Sequence, residues 1–210
     1  MRRLMVVLLG AVLLVPAMAP VVSARPERSD SSSYNAFWHS KQRVDRDTYL
    51  KITWYAGVYA DGDSFWSDLY RSVQRCERGP GRDQCRSGPY MIGVIEDLGD
   101  GAFELDRGLD TGYFEATYPM EIYKGREERR AGKIHIAVDL AGTGDLRTST
   151  ERYTYEDGCY RVRYSGSWEY RQAIASGVLT FIRSGETLDI GETDDANMGR
   201  GRSVSITHEC

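Results

Sequence analysis

The sequence predicts an all-β protein, an antiparallel sandwich or barrel of about ten strands that is disulfide-stapled and has a disordered N-terminal leader. Three observations predict this fold class. From Thr48 onward, apolar and polar side chains alternate with a period of two, as in half-buried strands. Turn sequences rich in glycine interrupt the alternation roughly every 8 to 12 residues. No window has the 3.6-residue periodicity of an amphipathic helix, and half-buried alternation disfavours a parallel α/β sheet.

The N-terminal residues have the layout of a secretory signal peptide. Arg2 and Arg3 precede an uncharged apolar run, and a small-residue cleavage site ends at Ala24. We therefore expect a signal peptide over residues 1–24 and a secreted protein, either extracellular or associated with the cell envelope. An uncleaved membrane anchor is the alternative, but two prolines interrupt the apolar run. No second long apolar stretch follows, so we expect no membrane span in the mature chain.

The rest of the chain divides into a leader and one domain. Residues 25–47 are polar and include the run Asp30-Ser31-Ser32-Ser33, so we expect a flexible polar leader. The aromatic pair Phe37-Trp38 could dock on the body and extend the ordered part toward the N-terminus. We expect residues 48–210 to form a single β domain, because a chain of this length can bury about 70% of its unfolded surface in one core.

The predicted strands follow from the alternation. The alternating runs cover, in order, 50–58, 65–76, 90–94, 103–105, 114–122, 134–140, 148–156, 159–171, 178–183, 188–190 and 202–209. Turn-forming sequences separate many of them, namely Asp61-Gly62-Asp63, Asp100-Gly101, Gly142-Thr143-Gly144 and Asp157-Gly158. The segment 125–132 is charged and bracketed by glycines, which indicates a loop tip. The last three runs are shorter or less regular, and glycines separate them.

The run 159–171 has two chemically distinct faces. Its even positions are Tyr, Val, Gly or Trp, and its odd positions are Cys, Arg, Ser or Glu. We expect the even face to enter the core, with Trp168 there like Trp54, because both have apolar neighbours on the same face. We expect the odd face to meet water, since surface arginines need no function.

Four cysteines in an exported chain are more often bridged than free. Cys76 and Cys85 flank a turn sequence with Gly-Pro-Gly at its centre, and a short loop of this kind is easy to close. We expect a Cys76–Cys85 disulfide, and by elimination a bridge between Cys159 and Cys210. The alternative of a metal site lacks the short cysteine spacing of zinc ligands.

Charge and composition limit the possible partners. The chain has 27 basic and 31 acidic residues. Removing residues 1–24 takes away two arginines and no acid, which leaves 25 against 31 and a net charge of −6. This balance disfavours nucleic acid as a partner. Only four basic residues are lysines, a skew typical of GC-rich bacterial genomes. The partner we expect is an extracellular ligand of unknown identity.

Two pairs of residues are candidate ligand-binding groups. Tyr55 and Tyr59 share the less apolar face of their strand with Lys51, and exposed aromatic side chains often mark binding surfaces. Rings in a row can stack on sugars or other flat apolar faces. Arg161 and Arg163, on the odd face of run 159–171, are candidates for binding an anion. In both cases an ordinary solvent-exposed strand face is the competing interpretation.

The only cofactor that the sequence suggests is calcium. Glu192, Asp194 and Asp195 lie in an oxygen-rich segment that could hold this ion, although the spacing does not match an EF-hand loop. Catalytic signatures are missing: there is no His-Glu-x-x-His, no phosphate-binding glycine loop and no Gly-x-Ser-x-Gly. His135 and Asp139 share a strand face, but no serine is placed for attack.

These observations favour a secreted bacterial β-domain protein that acts as a non-catalytic extracellular or cell-envelope binding module. A structural or inhibitor-like envelope protein, which a long rigid loop such as Cys76–Cys85 would mark, is a third possibility beside two main alternatives. One is a secreted hydrolase acting on polysaccharide or peptide through loop carboxylates, which a cluster of acidic and histidine side chains in a pocket would favour. The other is a lipocalin-like carrier of an apolar ligand, which a large apolar cavity would favour. An exposed aromatic patch would favour the binding module.

Overall fold

The computed structural model describes residues 26–62, 64–97 and 102–209, and within them it contains nine β-strands and no helix. The strands are β1 (Pro26–Arg43), β2 (Thr48–Asp61), β3 (Ser64–Glu77), β4 (Gln84–Ile95), β5 (Ala102–Leu105), β6 (Thr111–Lys124), β7 (Glu127–Asp157), β8 (Tyr160–Phe181) and β9 (Glu186–Glu209). The predicted all-β class is thereby confirmed. In the described part of the chain, no helix could span a membrane.

The nine strands form one antiparallel sheet that closes on itself. The strand order is β4-β3-β2-β1-β9-β8-β7-β6-β5, and a further pairing between β4 and β6 completes the ring. The short strand β5 pairs with β6 beside this closure, at Ala102 to Leu105. Of the two architectures that the sequence left open, the structure is therefore the closed barrel. Closure leaves few unpaired strand edges.

Much of the predicted flexible leader is a β-strand in the structure. Residues 26–43 form β1, which pairs with β2 on one side and with β9 on the other. The expectation of a flexible segment over residues 25–47 is therefore wrong for this part of it. The physical reason is that β1 buries Tyr34, Ala36 and Trp38, and both of its edges bond to neighbours. The predicted signal peptide, residues 1–24, lies outside the described residues.

Several predicted runs merge into longer strands. The runs 134–140 and 148–156 both belong to β7, and the glycine-rich sequence between them forms a register shift between Thr143 and Arg147 instead of a turn. The runs 188–190 and 202–209 both belong to β9. Bulges add local bends without ending a strand, which explains why nine strands replace the larger number of predicted runs.

Side chains fill the middle of the barrel. Buried residues there include Trp54, Leu69, Phe114, Ile136, Val138, Leu179 and Met198. The buried Tyr118 forms a short hydrogen bond with Ser67, and Ser67 donates to the carbonyl of Gly57 at 2.7 Å. These bonds satisfy polar groups that would otherwise be costly to bury. The centre is filled, and the two cavities described below lie at the ends of the barrel.

Strand β8 turns its aromatic side chains outward. Ala173, Ala175 and Leu179 are buried, so odd positions face the barrel interior. The extra residues at the register shifts lie on β7 and β9, so the alternation of β8 continues unbroken to Tyr160. The even positions of 160–170 therefore lie on the outer face. The prediction that this face, including Trp168, enters the core is wrong, whereas Trp54 is in the core as expected.

The disulfide predictions have different outcomes. Cys76 and Cys85 pair across β3 and β4 and form a disulfide, as predicted. Cys159 is exposed in the turn between β7 and β8. Its expected partner, Cys210, lies outside the described residues, so that bridge stays a prediction.

Candidate ligand-binding surface

A group of aromatic side chains covers the outer face of the β7–β8 hairpin. We call it the aromatic face, and it consists of Tyr153, Tyr155, Tyr160, Tyr164 and Trp168. The rings of Tyr153 and Tyr164 stack with centroids 4.8 Å apart and planes 21° apart. Tyr164 and Trp168 follow at 6.2 Å and 26°. The face is open, because Tyr153 is 50% and Tyr155 52% exposed.

Trp168 lies flat on the sheet because glycines leave room beneath it. A Cβ atom at Gly166 would overlap the six-membered ring of the indole, and one at Gly201 would lie 2.6 Å from Trp168 Cδ1. Gly166 is the second residue before Trp168 on β8, and Gly201 is its partner on β9. One side of the indole therefore rests on backbone, and its other side faces outward.

Short hydroxyl side chains lie beside the aromatic face. On the same side of the sheet, Ser205 pairs with Tyr164, and Ser203 pairs with Gly166. Ser29 is opposite Ser203, and Ser31 is opposite Gly201. The aromatic rings on β7 and β8 are thus bordered on β9 and β1 by small polar residues, which provide hydrogen-bonding groups close to a flat apolar strip.

The structure places Tyr55 and Tyr59 on the outer face of β2. Tyr59 is 47% exposed, and its hydroxyl donates to Asp61 at 3.1 Å. Partial burial, the hydrogen bond to Asp61 and the charges of Asp61 and Tyr164 raise the pKa of Tyr59. Because Tyr164 belongs to the aromatic face and its charge acts on Tyr59, the Tyr59 hydroxyl lies on the side of β2 toward that face. Tyr55 instead packs on Phe37, with ring centroids 4.6 Å apart, so it is partly covered.

Asp68 is a partly buried carboxylate on the same outer face, opposite Gly57 on β2. Burial raises its pKa from 3.8 to about 6. Its Oδ1 atom is buried and has no hydrogen-bond partner among the described residues. The charge of Asp68 adds to burial in raising the pKa of Tyr55. A charged oxygen without a partner is costly at this position.

The two predicted arginines lie on the opposite side of the sheet from the tyrosines. Arg161 and Arg163 occupy odd positions of β8. Further along the strand these positions face the barrel interior, but here β8 extends beyond the core and both arginines are exposed. Arg161 forms a salt bridge with Glu156. The structure therefore does not bring the arginines together with Tyr55 and Tyr59 in one site.

An open cavity of about 1000 Å³ lies at the end of the barrel near the start of β1, and we call it the mouth. Four of its six charged side chains form two ion pairs. Arg200 Nη2 is 2.6 Å from Glu169 Oε2, and Arg202 Nε is 2.8 Å from Asp30 Oδ1. A polar, charged cavity of this kind differs from the apolar lumen of the predicted carrier.

The predicted calcium ligands lie on β9. Glu192, Asp194 and Asp195 are all exposed, and Asp195 Oδ2 is 3.7 Å from His39 Nε2. No group of three or more His, Cys, Asp or Glu side chains is arranged to hold a metal ion in the part of the chain that the structure describes. Calcium binding stays a prediction. His135 lies on the outer face of β7, with Nδ1 3.1 Å from Thr117 Oγ1.

Sequence reasoning missed the aromatic face because it placed the even side of 160–170 inside. The sequence carries no clear signal of the correct direction. Both faces of residues 173–182 are apolar, with Ala175 and Leu179 at odd positions and Ile174 and Val178 at even positions. Comparison of the chain with protein-family models and with curated proteins gives no match. The function must therefore be inferred from the geometry.

Proposed function

We propose that the protein is a secreted, non-catalytic binding module of a bacterial cell envelope or extracellular space, and that it binds polysaccharide on the aromatic face. The observation that carries the proposal is the row of stacked rings of Tyr153, Tyr164 and Trp168 on the outer face of the sheet. Aromatic side chains supply a large contact area at low entropic cost. The apolar faces of sugar rings fit such a strip, and the bordering serines can bond sugar hydroxyls.

Compartment and chemistry both support this proposal. A signal-like N-terminus and the Cys76–Cys85 disulfide suit an exported protein. The hydrolase alternative has less support, because Asp30 and Glu169 in the mouth are each paired with an arginine, whereas glycoside hydrolysis uses a pair of carboxyl groups flanking the scissile bond. An exposed aromatic surface is the feature that favours binding over catalysis.

The test is retention of the purified protein by insoluble cellulose, chitin and peptidoglycan. We expect at least one of these polymers to retain it, and Trp168→Ala to weaken the affinity about tenfold or more, as at a binding hot spot. Gly166→Ala should weaken binding too, because the added Cβ lifts the indole off the sheet.

Tyr90→Ala is the matched control. Tyr90 is also exposed, on β4, and it stacks on Tyr123 of β6, away from the aromatic face, so its removal should leave binding unchanged. If none of the three polymers retains the protein, or if Trp168→Ala and Tyr90→Ala reduce retention equally, the proposal is wrong.

A further inference from the structure

A second concave site lies at the end of the barrel opposite the mouth. It is a cavity of about 440 Å³ between the end of β1, the start of β2, the middle of β3 and the β8–β9 turn. This volume lies in the range of small-molecule sites. Its walls are mainly apolar and aromatic, and they include Trp38, Trp54, Ile52, Phe181 and Ile190.

Arg71 brings a positive charge into this apolar cavity. Its guanidinium Cζ lies 5.4 Å from the centroid of the Trp54 ring, and Nη1 is 3.8 Å from Met91 Sδ. Its Nε atom is buried and has no hydrogen-bond partner in the described part of the chain. No ion pair with Arg71 occurs among residues 26–62, 64–97 and 102–209, and burial lowers its pKa.

The other charged groups of the cavity do not neutralise Arg71. Asp189 is the carboxylate that lines it, and its Oδ1 accepts a hydrogen bond from the Gly191 amide at 2.7 Å. Lys41 adds a second positive charge at the rim, with Nζ 5.2 Å from the Tyr49 ring centroid. Partly buried charges in proteins are normally paired, so an Arg71 without an ion pair among the described residues favours an anionic ligand.

We propose that this cavity binds a small aromatic acid, whose flat apolar body packs against Ile52, Phe181 and Ile190 and whose single anionic group pairs with Arg71. The guanidinium presents a planar donor fork that matches a carboxylate or sulfonate. The ligand differs from that of the predicted carrier in being anionic and in lying at one end of the barrel. The site is remote from the aromatic face and does not depend on the polysaccharide proposal.

Two fluorescent probes with the same aromatic body test this assignment. The anionic probe is 1-anilinonaphthalene-8-sulfonate, and the neutral one is N-phenyl-1-naphthylamine. We expect the wild-type protein to bind the anion more tightly. Arg71→Gln should weaken anion binding about tenfold or more, the size of a lost charge-assisted hydrogen bond, and leave the neutral probe unchanged. Arg71→Lys should retain part of the preference for the anion.

Arg200→Gln, which removes a charge from the mouth instead, is the control and should change neither affinity. A competing explanation is that Arg71 has only a structural role and fills space at the end of the barrel. In that case Arg71→Met lowers the melting temperature and the ratio of the two affinities does not change. If Arg71 serves a ligand, Arg71→Met leaves the melting temperature equal or higher, because an unpaired charge is removed. If the wild-type protein binds neither probe, the proposal is also wrong.

Discussion

Replacing Asp68 with asparagine should stabilise the folded protein at neutral pH. The substitution keeps the shape of the side chain and removes the charge from a buried oxygen that no described residue hydrogen-bonds. Burial raises the pKa of Asp68 to about 6 in the folded protein, against 3.8 for an ordinary aspartate. The folded chain therefore holds this proton more tightly than the unfolded chain does.

The sign of the pH dependence follows from this difference in pKa. Below the unfolded pKa both states are protonated, and the stability linked to Asp68 is fully present. It is lost as the pH rises through about 6. For a fully buried group such a difference corresponds to about 3 kcal/mol. Because Asp68 is only half-buried, solvent screening reduces the expected effect to about 1 kcal/mol.

Urea unfolding followed by tryptophan fluorescence measures this effect. At pH 7.5 we expect the free energy of unfolding of Asp68→Asn to exceed the wild-type value by about 1 kcal/mol, and at pH 3.5 we expect the two to agree. Asp139→Asn, at an exposed position of β7, is the matched control and should show no such pH-dependent difference. A variant that is less stable than wild type at pH 7.5, or a difference that is constant with pH, would refute the reasoning.

Three further predictions concern the second bridge and the core. With Cys76 and Cys85 bridged, the two remaining cysteines are Cys159 and Cys210; non-reducing peptide mapping should find these two linked, and a bridge from either to another cysteine contradicts this. Tyr118→Phe should lower the free energy of unfolding by about 1 kcal/mol in urea titrations because a buried hydrogen bond is lost, whereas Tyr123→Phe, at a partly exposed site, should change it little. Gly93→Ala should lower the free energy of unfolding by about 1 to 3 kcal/mol in the same assay, because the added Cβ would lie 2.8 Å from Tyr118 Cβ. An unchanged urea midpoint would contradict the packing described.

The sequence was sufficient to predict the fold class and the first disulfide, because both depend on local patterns. Alternation of the kind seen in 134–140 predicts a half-buried strand without reference to its neighbours. The Cys76–Cys85 bridge needs only a short loop that turns back. Neither requires knowledge of which distant strands pair.

Features that depend on distant pairing could not be predicted. Strand β1 is polar along much of its length, and it is a strand because β2 and β9 occupy both of its edges. The outward direction of Trp168 follows from β8 extending beyond the core, where either face can carry aromatic side chains. The cavity around Arg71 likewise needs the β8–β9 turn to approach β3, which no local pattern contains.

The position of β1 has a consequence for how the molecule is made. Tyr34 on β1 pairs with Met198 on β9, so a nascent chain exposes one unpaired edge of β1 until β9 has been synthesised. Contacts between such distant segments form slowly. The ring therefore cannot close before β9 has left the ribosome. For a secreted protein, as proposed above, this late closure is compatible with transport of the unfolded chain across a membrane.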